Sequence, residues 1–331
     1  MDQLPAFGRA IFQVVGPTVQ AYTPLLLAHE SEIRSTRREE YSFGPHERQT
    51  LDVYYPSEET TAQKGPKKVL VFVHGGGFVH NSKRNEEHSG GLTYGNVAHF
   101  FAARFGYTVV VTNYRRFDHG AVYPSGGEDV AAVVRWIAEE LPSRHAGYEA
   151  GTDIFLLGNS AGGVHTATYA LEPSLAGARD PFTTDDNARR GGRTGALLRG
   201  IALLGMPGHF KGMDAGPMAA PLHAYYGGAD HHYAKSPVGL VEAAKARGDD
   251  ARRPPTRGTP YLALTSELDP DDILQANRDF AEAWPWKELL TVESIPGHNH
   301  ISPPLALATG IKREEEWAVK LAAWCESCVK E

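Results

Sequence analysis

The feature that most constrains this chain is a set of short apolar runs separated by stretches of helical periodicity. Lys68–Val73 (KVLVFV) and Tyr107–Thr112 (YTVVVT) show no regular polar alternation, the pattern of strands buried on both faces of a parallel sheet. Further strands are expected over Asp153–Leu157, Gly200–Leu204, Tyr261–Thr265 and Leu289–Ile295. Helices are expected between them, over Asn96–Arg104, Gly127–Leu141, Ala161–Leu171, Asp271–Trp284 and Arg313–Cys328. In the second of these, Val130, Val133, Val134 and Ile137 form one apolar stripe. Alternation of this kind builds a doubly wound α/β sheet, mostly parallel, with helices on both faces.

Around that frame, residues 4–38 read as helical. Phe7, Ile11, Phe12, Val15, Val19 and Tyr22 recur near helical spacing, followed by Leu25–Leu27, with a break expected at Gly16-Pro17. The polar face lacks the basic residues of an interfacial helix, so packing as core or cap is expected. Tyr41–Phe43 and Leu51–Tyr55 around Gly44-Pro45 predict a hairpin. Residues 173–198 are polar and rich in Gly, Asp and Arg, which predicts a surface loop. Residues 206–257 are too long for a plain loop. Their aromatics and Met206, Met213 and Met218 predict an apolar lid.

Composition narrows the function classes. A net charge of −7 over 331 residues argues against a nucleic-acid binder. With 41% hydrophobic and 22% charged residues the chain is not a disordered one. Two cysteines, Cys325 and Cys328, exclude a disulfide-dense scaffold and a four-thiolate zinc site. Their CxxC lacks the βαβ context of a redox pair, and a frayed terminal helix with reduced thiols is expected. No stretch is read as reaching the ~18–20 apolar residues of a membrane span. Met1–Arg9 lacks the features of a signal peptide. A cytoplasmic protein without membrane insertion is expected, as one domain (1–331) with residues 1–38 as cap and 206–257 as lid.

Two glycine-rich motifs carry the chemistry. Gly158-Asn159-Ser160-Ala161-Gly162-Gly163 closes an apolar strand and opens a helix. That is the setting of a nucleophile elbow, a sharp turn that exposes a serine oxygen. His74-Gly75-Gly76-Gly77-Phe78 follows KVLVFV directly, and consecutive glycines leave backbone N–H groups free to meet an oxyanion. Neither GxGxxG nor GxxxxGK[ST] is present, which removes the usual nucleotide loops. A serine nucleophile needs a carboxylate and then a histidine further along this fold. Ser266-Glu267-Leu268-Asp269-Pro270 and Pro296-Gly297-His298-Asn299-His300 follow strands, where α/β sheets place ligands. Within them Glu267 or Asp269, and His298 or His300, fit equally on spacing. Asp269 also suits an N-cap before Pro270.

HGGGF, NYRR (Asn113–Arg116), YPSGGEDVAAVVRW (Tyr123–Trp136), GNSAGG, SELDP and GHNH together resemble the hormone-sensitive-lipase-like and feruloyl-esterase-like branch of the α/β-hydrolases. The resemblance runs from about residue 48 to the C-terminus. It implies the α/β-hydrolase fold and Ser160 as nucleophile, with Asp269 as acid and His300 as base. The amides of Gly76, Gly77 and Ala161 would form the oxyanion hole. This chain has Ile301 where the family motif carries an aromatic, which keeps His298 as the alternate base, as Glu267 is the alternate acid. No cofactor or metal is implied, and the expected partner is a small-molecule ester or amide. The segment His74–Lys83 also resembles the arylformamidase branch, so an amide or lactone hydrolase with the same residues stands beside the esterase. A ligand receptor without catalysis is the reading from another class.

Other clusters have plainer readings. Asp230-His231-His232 and the run Arg189–Arg193 suit solvated loops. Glu128-Asp129 suits a helix N-terminus.

Overall fold

A computed structural model of the chain describes residues 1–57, 66–86, 88–145, 147–148, 151–183, 195–213, 216, 218–228, 231–248 and 254–329. Among these residues the strands are β1 (Arg38–Ser42), β2 (Thr50–Tyr54), β3 (Lys67–Val73), β4 (Thr108–Thr112), β5 (Thr152–Asn159), β6 (Ala196–Leu204), β7 (Tyr261–Leu268) and β8 (Leu290–Asn299). They form one sheet in the order β1-β2-β4-β3-β5-β6-β7-β8. The predicted hairpin β1–β2 is present, and both β1–β2 and β2–β4 pair antiparallel. Every pairing from β4 across to β8 is parallel.

The apolar runs explain the layering. Along β3, Val69, Val71 and Val73 enter one core, and Leu70 and Phe72 enter the other, so both faces of the sheet must be covered. On the first face lie α4 (Ser125–Glu139) and α6 (Ala161–Leu171). On the second lie α3 (Gly95–Phe105) and the terminal helix. The remaining helices are α1 (Ile11–Ala28), α2 (Glu30–Ser35), α5 (Leu141–Arg144), α7 (Ala176–Arg179), α8 (Ala219–Tyr226), α9 (Pro237–Ala246), α10 (Asp271–Ala283) and α11 (Ser302–Ala306), with α12 (Lys312–Ser327) last.

Strand order reverses at β3: the chain crosses from β3 to β4 on one side, then returns to β5 on the other. Such a switch point opens a crevice at the C-terminal strand ends. Val73 pairs with Gly158 there, so the two glycine-rich motifs, remote in sequence, leave adjacent strands side by side.

Several expectations need correcting. The helix does not break at Gly16-Pro17: α1 runs through Pro17 and Pro24. Both prolines stand on its exposed face, opposite Val14, Thr18, Tyr22 and Leu26, which are buried. A proline cannot donate to the carbonyl four residues before it, and on an exposed face water can take the place of that donor. This 18-residue helix carries no charge and has a mean hydropathy of 1.2, so by length and composition it is long and apolar enough to cross a membrane. Interleaved Gly, Pro, Thr and Gln hide that in a search for continuous apolar runs. The terminal helix α12 is not frayed, because Trp317, Ala318, Leu321, Ala322 and Cys325 seal the second core. Residues 173–198 are not a plain loop. Short helical turns occupy 173–182, Arg179 is buried, and β6 begins at Ala196. The run Arg189–Arg193 lies outside the described residues.

Candidate active site

Ser160 sits between β5 and α6 with φ 52° and ψ −118°, a region that costs a non-glycine residue of order 1–3 kcal/mol. The surroundings hold it there. Its N–H donates to Leu204 O at 2.8 Å. Gly162 lets α6 approach β3 so closely that an added Cβ would stand 2.1 Å from Val73 O. The strain turns the Ser160 hydroxyl out of the elbow.

His300 Nε2 is 2.9 Å from Ser160 Oγ, and His300 Nδ1 is 2.7 Å from Asp269 Oδ1. Asp269 is fully buried, and its Oδ2 accepts the N–H of Ser266 at 2.7 Å. A carboxylate acceptor fixes the proton on Nδ1, leaving Nε2 to accept from the Ser160 hydroxyl. Asp269 is not a helix cap: Pro270 holds that position for α10, and the Asp269 carboxylate is turned to His300 instead. Arg9 Nη1 donates to the Asp269 carbonyl at 3.0 Å, which ties the N-terminal segment to the site.

The alternates lie elsewhere. Glu267 is exposed and accepts the N–H of Gly297 at 2.7 Å. His298 is buried, with Nδ1 2.8 Å from Ser302 Oγ and Nε2 3.1 Å from Glu314 O. Burial lowers its pKa to about 4, so it is a neutral packing residue. Strand alternation does not carry His298 and His300 to one side, because β8 ends at Asn299. The chain then turns into α11, with Asn299 Oδ1 accepting from the N–H groups of Ile301 and Ser302.

The glycine loop after β3 has a defined orientation. Gly75 O accepts from His74 Nδ1 at 2.7 Å, Asn81 Nδ2 at 3.4 Å and Tyr114 Oη at 3.5 Å. In a trans peptide the N–H opposes the C=O, so the Gly76 N–H points away from these three donors. Gly76 has φ +129°, and a Cβ there would lie 2.2 Å from His80 O. The N–H groups of Gly76, Gly77 and Ala161 make no hydrogen bond among the described residues. His74 is fully buried, and desolvation lowers its pKa to about 3, which keeps the ring neutral. Tyr114 and Asn81 lie within segments singled out in the sequence, NYRR and His74–Lys83, but their grip on Gly75 depends on the folded loop.

Ser160 and His300 open into a cavity of about 1110 Å³. Ile11, Val15 and Val19 of α1 line it with Ile301, Pro304 and Leu305, and Arg48, Lys83, Arg84 and Arg116 line it elsewhere. The residues expected in the lid fall in two places. Met218 reaches the cavity, whereas Met206, Phe210, Tyr225 and Tyr226 are core residues, with Phe210 and both tyrosines ringed around Phe78. Lys83, which ends the second family-like segment, is ion-paired to Asp52 at 2.9 Å. Asp129 is not a simple helix-dipole residue. It is buried and accepts from Gln49 Nε2 and from the Arg115 N–H and Nε. Of Asp230-His231-His232, Asp230 lies outside the described residues and His232 is buried against His223.

Comparison with known proteins agrees with this architecture. The BD-FAE family matches residues 51–187. Carboxylesterase 3B of Mus musculus is 31% identical over 136 residues, covering 39% of this chain and 21% of that protein. The gibberellin receptor GID1 of Oryza sativa subsp. japonica is 32% identical over 113 residues, covering 33% of this chain and 30% of that protein. The chain thus spans less than a third of the length of either curated relative. Among solved structures, esterase B from Lactobacillus rhamnosis superposes with a TM-score of 0.62 at 17% identity, covering 100% of this chain and 97% of that one. The hyperthermophilic esterase from Pyrobaculum calidifontis superposes with a TM-score of 0.56 at 19% identity, covering 97% and 94%. At these identities the likeness to the solved structures is one of fold. Residues 51–187 thus match the BD-FAE family, and the chain as a whole shares the fold of these esterases.

Proposed function

We propose that this chain is a serine hydrolase that cleaves carboxylic esters of short to medium acyl chain. The observation that carries this reading is the hydrogen-bonded row Ser160–His300–Asp269 opening into a cavity. A free serine hydroxyl is a weak nucleophile and needs a positioned base. In this reading Ser160 Oγ attacks the ester carbonyl while its proton passes to His300 Nε2. Asp269 holds the imidazole tautomer and stabilises the imidazolium that forms. The unpaired N–H groups of Gly76, Gly77 and Ala161 meet the carbonyl oxygen as it becomes an oxyanion. The tetrahedral adduct collapses, and the departing alkoxide takes the proton back from His300. Water, deprotonated by His300, then attacks the acyl-Ser160 ester and releases the acid.

The apolar wall formed by α1 and α11 supports a hydrocarbon acyl or alcohol portion. The test is incubation with p-nitrophenyl acetate and with an organophosphonate. Release of nitrophenol and a phosphonyl adduct on Ser160 are expected. Absence of both overturns the reading. A series of p-nitrophenyl esters from acetate to palmitate tests the chain-length claim, with palmitate expected among the poorest substrates.

A further inference from the structure

The cavity over Ser160 carries four cations on its polar side, Arg48, Lys83, Arg84 and Arg116, together with the carboxylates of Glu86 and Asp118. Three of the cations have carboxylate partners. Lys83 Nζ is 2.9 Å from Asp52 Oδ1 and 2.8 Å from Glu40 Oε1, and Arg84 Nε is 2.8 Å from Asp52 Oδ2. Arg116 is bidentate on Asp118 at 3.0 and 2.7 Å.

Arg48 differs. It is half-buried, and it donates only to neutral oxygens: Nε to Tyr114 O at 3.2 Å, and Nη2 to Asn81 O at 3.2 Å and Asn113 Oδ1 at 3.5 Å. Among the described residues no carboxylate lies within ion-pair distance of it, and its Nη1 makes no hydrogen bond. Arg116 Nη1 donates to the same Asn81 carbonyl at 2.9 Å, so two like charges share one acceptor. Burial and the neighbouring Arg116 work against the charged form of Arg48, and the carboxylates of Asp118 and Glu47 favour it only from beyond ion-pair distance. Desolvating a cation without a counter-ion is costly. An anion at Nη1 would offset both penalties through a charge-assisted hydrogen bond.

We propose that Arg48 forms an anion subsite of this cavity. The ester cleaved at Ser160 then carries a carboxylate on one of its two halves, and its hydrocarbon portion lies along α1. The inference rests on the hydrolase reading above. It goes beyond that reading by naming the charge of the substrate. The bonds to Tyr114 O, Asn81 O and Asn113 Oδ1 engage Nε and Nη2 and leave Nη1 for a ligand.

Two matched pairs test it: methyl hexanoate against monomethyl adipate, and phenyl acetate against 4-carboxyphenyl acetate. The first pair places the carboxylate on the acyl half, the second on the alcohol half. The anionic member of at least one pair is expected to show about tenfold higher kcat/KM, mainly through KM. That ratio is expected to shrink as salt is raised, since the cavity is open to solvent, and to vanish in Arg48→Gln. Hydrolysis of the neutral esters with no anionic preference in either pair overturns the subsite and leaves the hydrolase standing. An Arg48→Gln variant that slows both members equally makes Arg48 a support of the loop and also overturns the subsite. Failure to cleave any ester, with no phosphonate labelling of Ser160, overturns both proposals. The wild-type ratio and its salt dependence decide the matter even if Arg48→Gln does not fold.

Discussion

His300 Nε2 stands 2.9 Å from Ser160 Oγ, while His298, two residues earlier, turns both ring nitrogens away to Ser302 Oγ and Glu314 O. The two histidines therefore predict opposite phenotypes. His300→Ala is expected to lower kcat by about 10⁴-fold or more, with KM and thermal stability little changed. His298→Ala removes a buried ring and leaves partners unpaired. It is expected to destabilise the fold by about 1–3 kcal/mol from the lost hydrogen bonds alone, with kcat retained in whatever folds. Steady-state kinetics on p-nitrophenyl acetate and a urea melt of each variant measure both. Loss of kcat in His298→Ala with retention in His300→Ala would sink the assignment of the base.

The two acidic positions separate in the same way. Asp269→Asn preserves shape but removes the charge that fixes the His300 tautomer, and a fall of about 10⁴ in kcat is expected. Glu267→Gln keeps an oxygen that still accepts the Gly297 N–H at an exposed position. It is expected to change kcat less than threefold and stability by less than about 0.5 kcal/mol. Equal losses in the two variants would contradict the geometry.

Much of this was legible in the sequence, for identifiable reasons. Continuous apolar runs such as KVLVFV mark strands covered on both faces, and β3 does feed two cores. Motifs that begin where such runs end had to sit at C-terminal strand ends, and the Val73–Gly158 pairing makes two of them neighbours. What was hidden depends on turns and on distant packing. His298 and His300 could not be told apart, because the strand stops between them at Asn299. The continuity of α1 through Pro17 depends on which face is exposed. Tyr225 and Tyr226 look like lid residues until Phe78 gives them a place in the core. Arg48 has no local signature at all, since its character comes from the partners it lacks.

Three buried histidines set an acid limit on stability. Burial lowers the pKa of His74 to about 3, of His165 to about 3 and of His298 to about 4. In the unfolded chain each titrates near its ordinary value of about 6.5. Between those values the unfolded state binds protons that the folded state refuses, so stability rises with pH and falls as pH drops through about 6.5. At pH 5 each histidine contributes a loss of about 2 kcal/mol relative to neutral pH. Urea midpoints measured from pH 7.5 to 5 check this, in a window where most exposed carboxylates remain ionised. The midpoint is expected to fall steadily, and a flat profile would contradict neutral burial of these rings.

The proposed oxyanion loop offers a separation of rate from fold. Gly76 has φ +129°, and a Cβ there would meet His80 O at 2.2 Å, so Gly76→Ala must shift the Gly75–Gly76 peptide. That peptide is held at its carbonyl end by His74, Asn81 and Tyr114, and its N–H makes no hydrogen bond among the described residues. The Ser160–His300–Asp269 row lies on other strand ends and is left in place. Gly76→Ala is therefore expected to lower kcat by about 10²–10³-fold, the loss of one oxyanion donor. Tm should change far less than in His298→Ala, and KM for a neutral ester should stay within a few-fold. Esterase kinetics and a thermal melt together make the check. A variant that keeps wild-type kcat would show that the Gly76 amide does not face the developing charge.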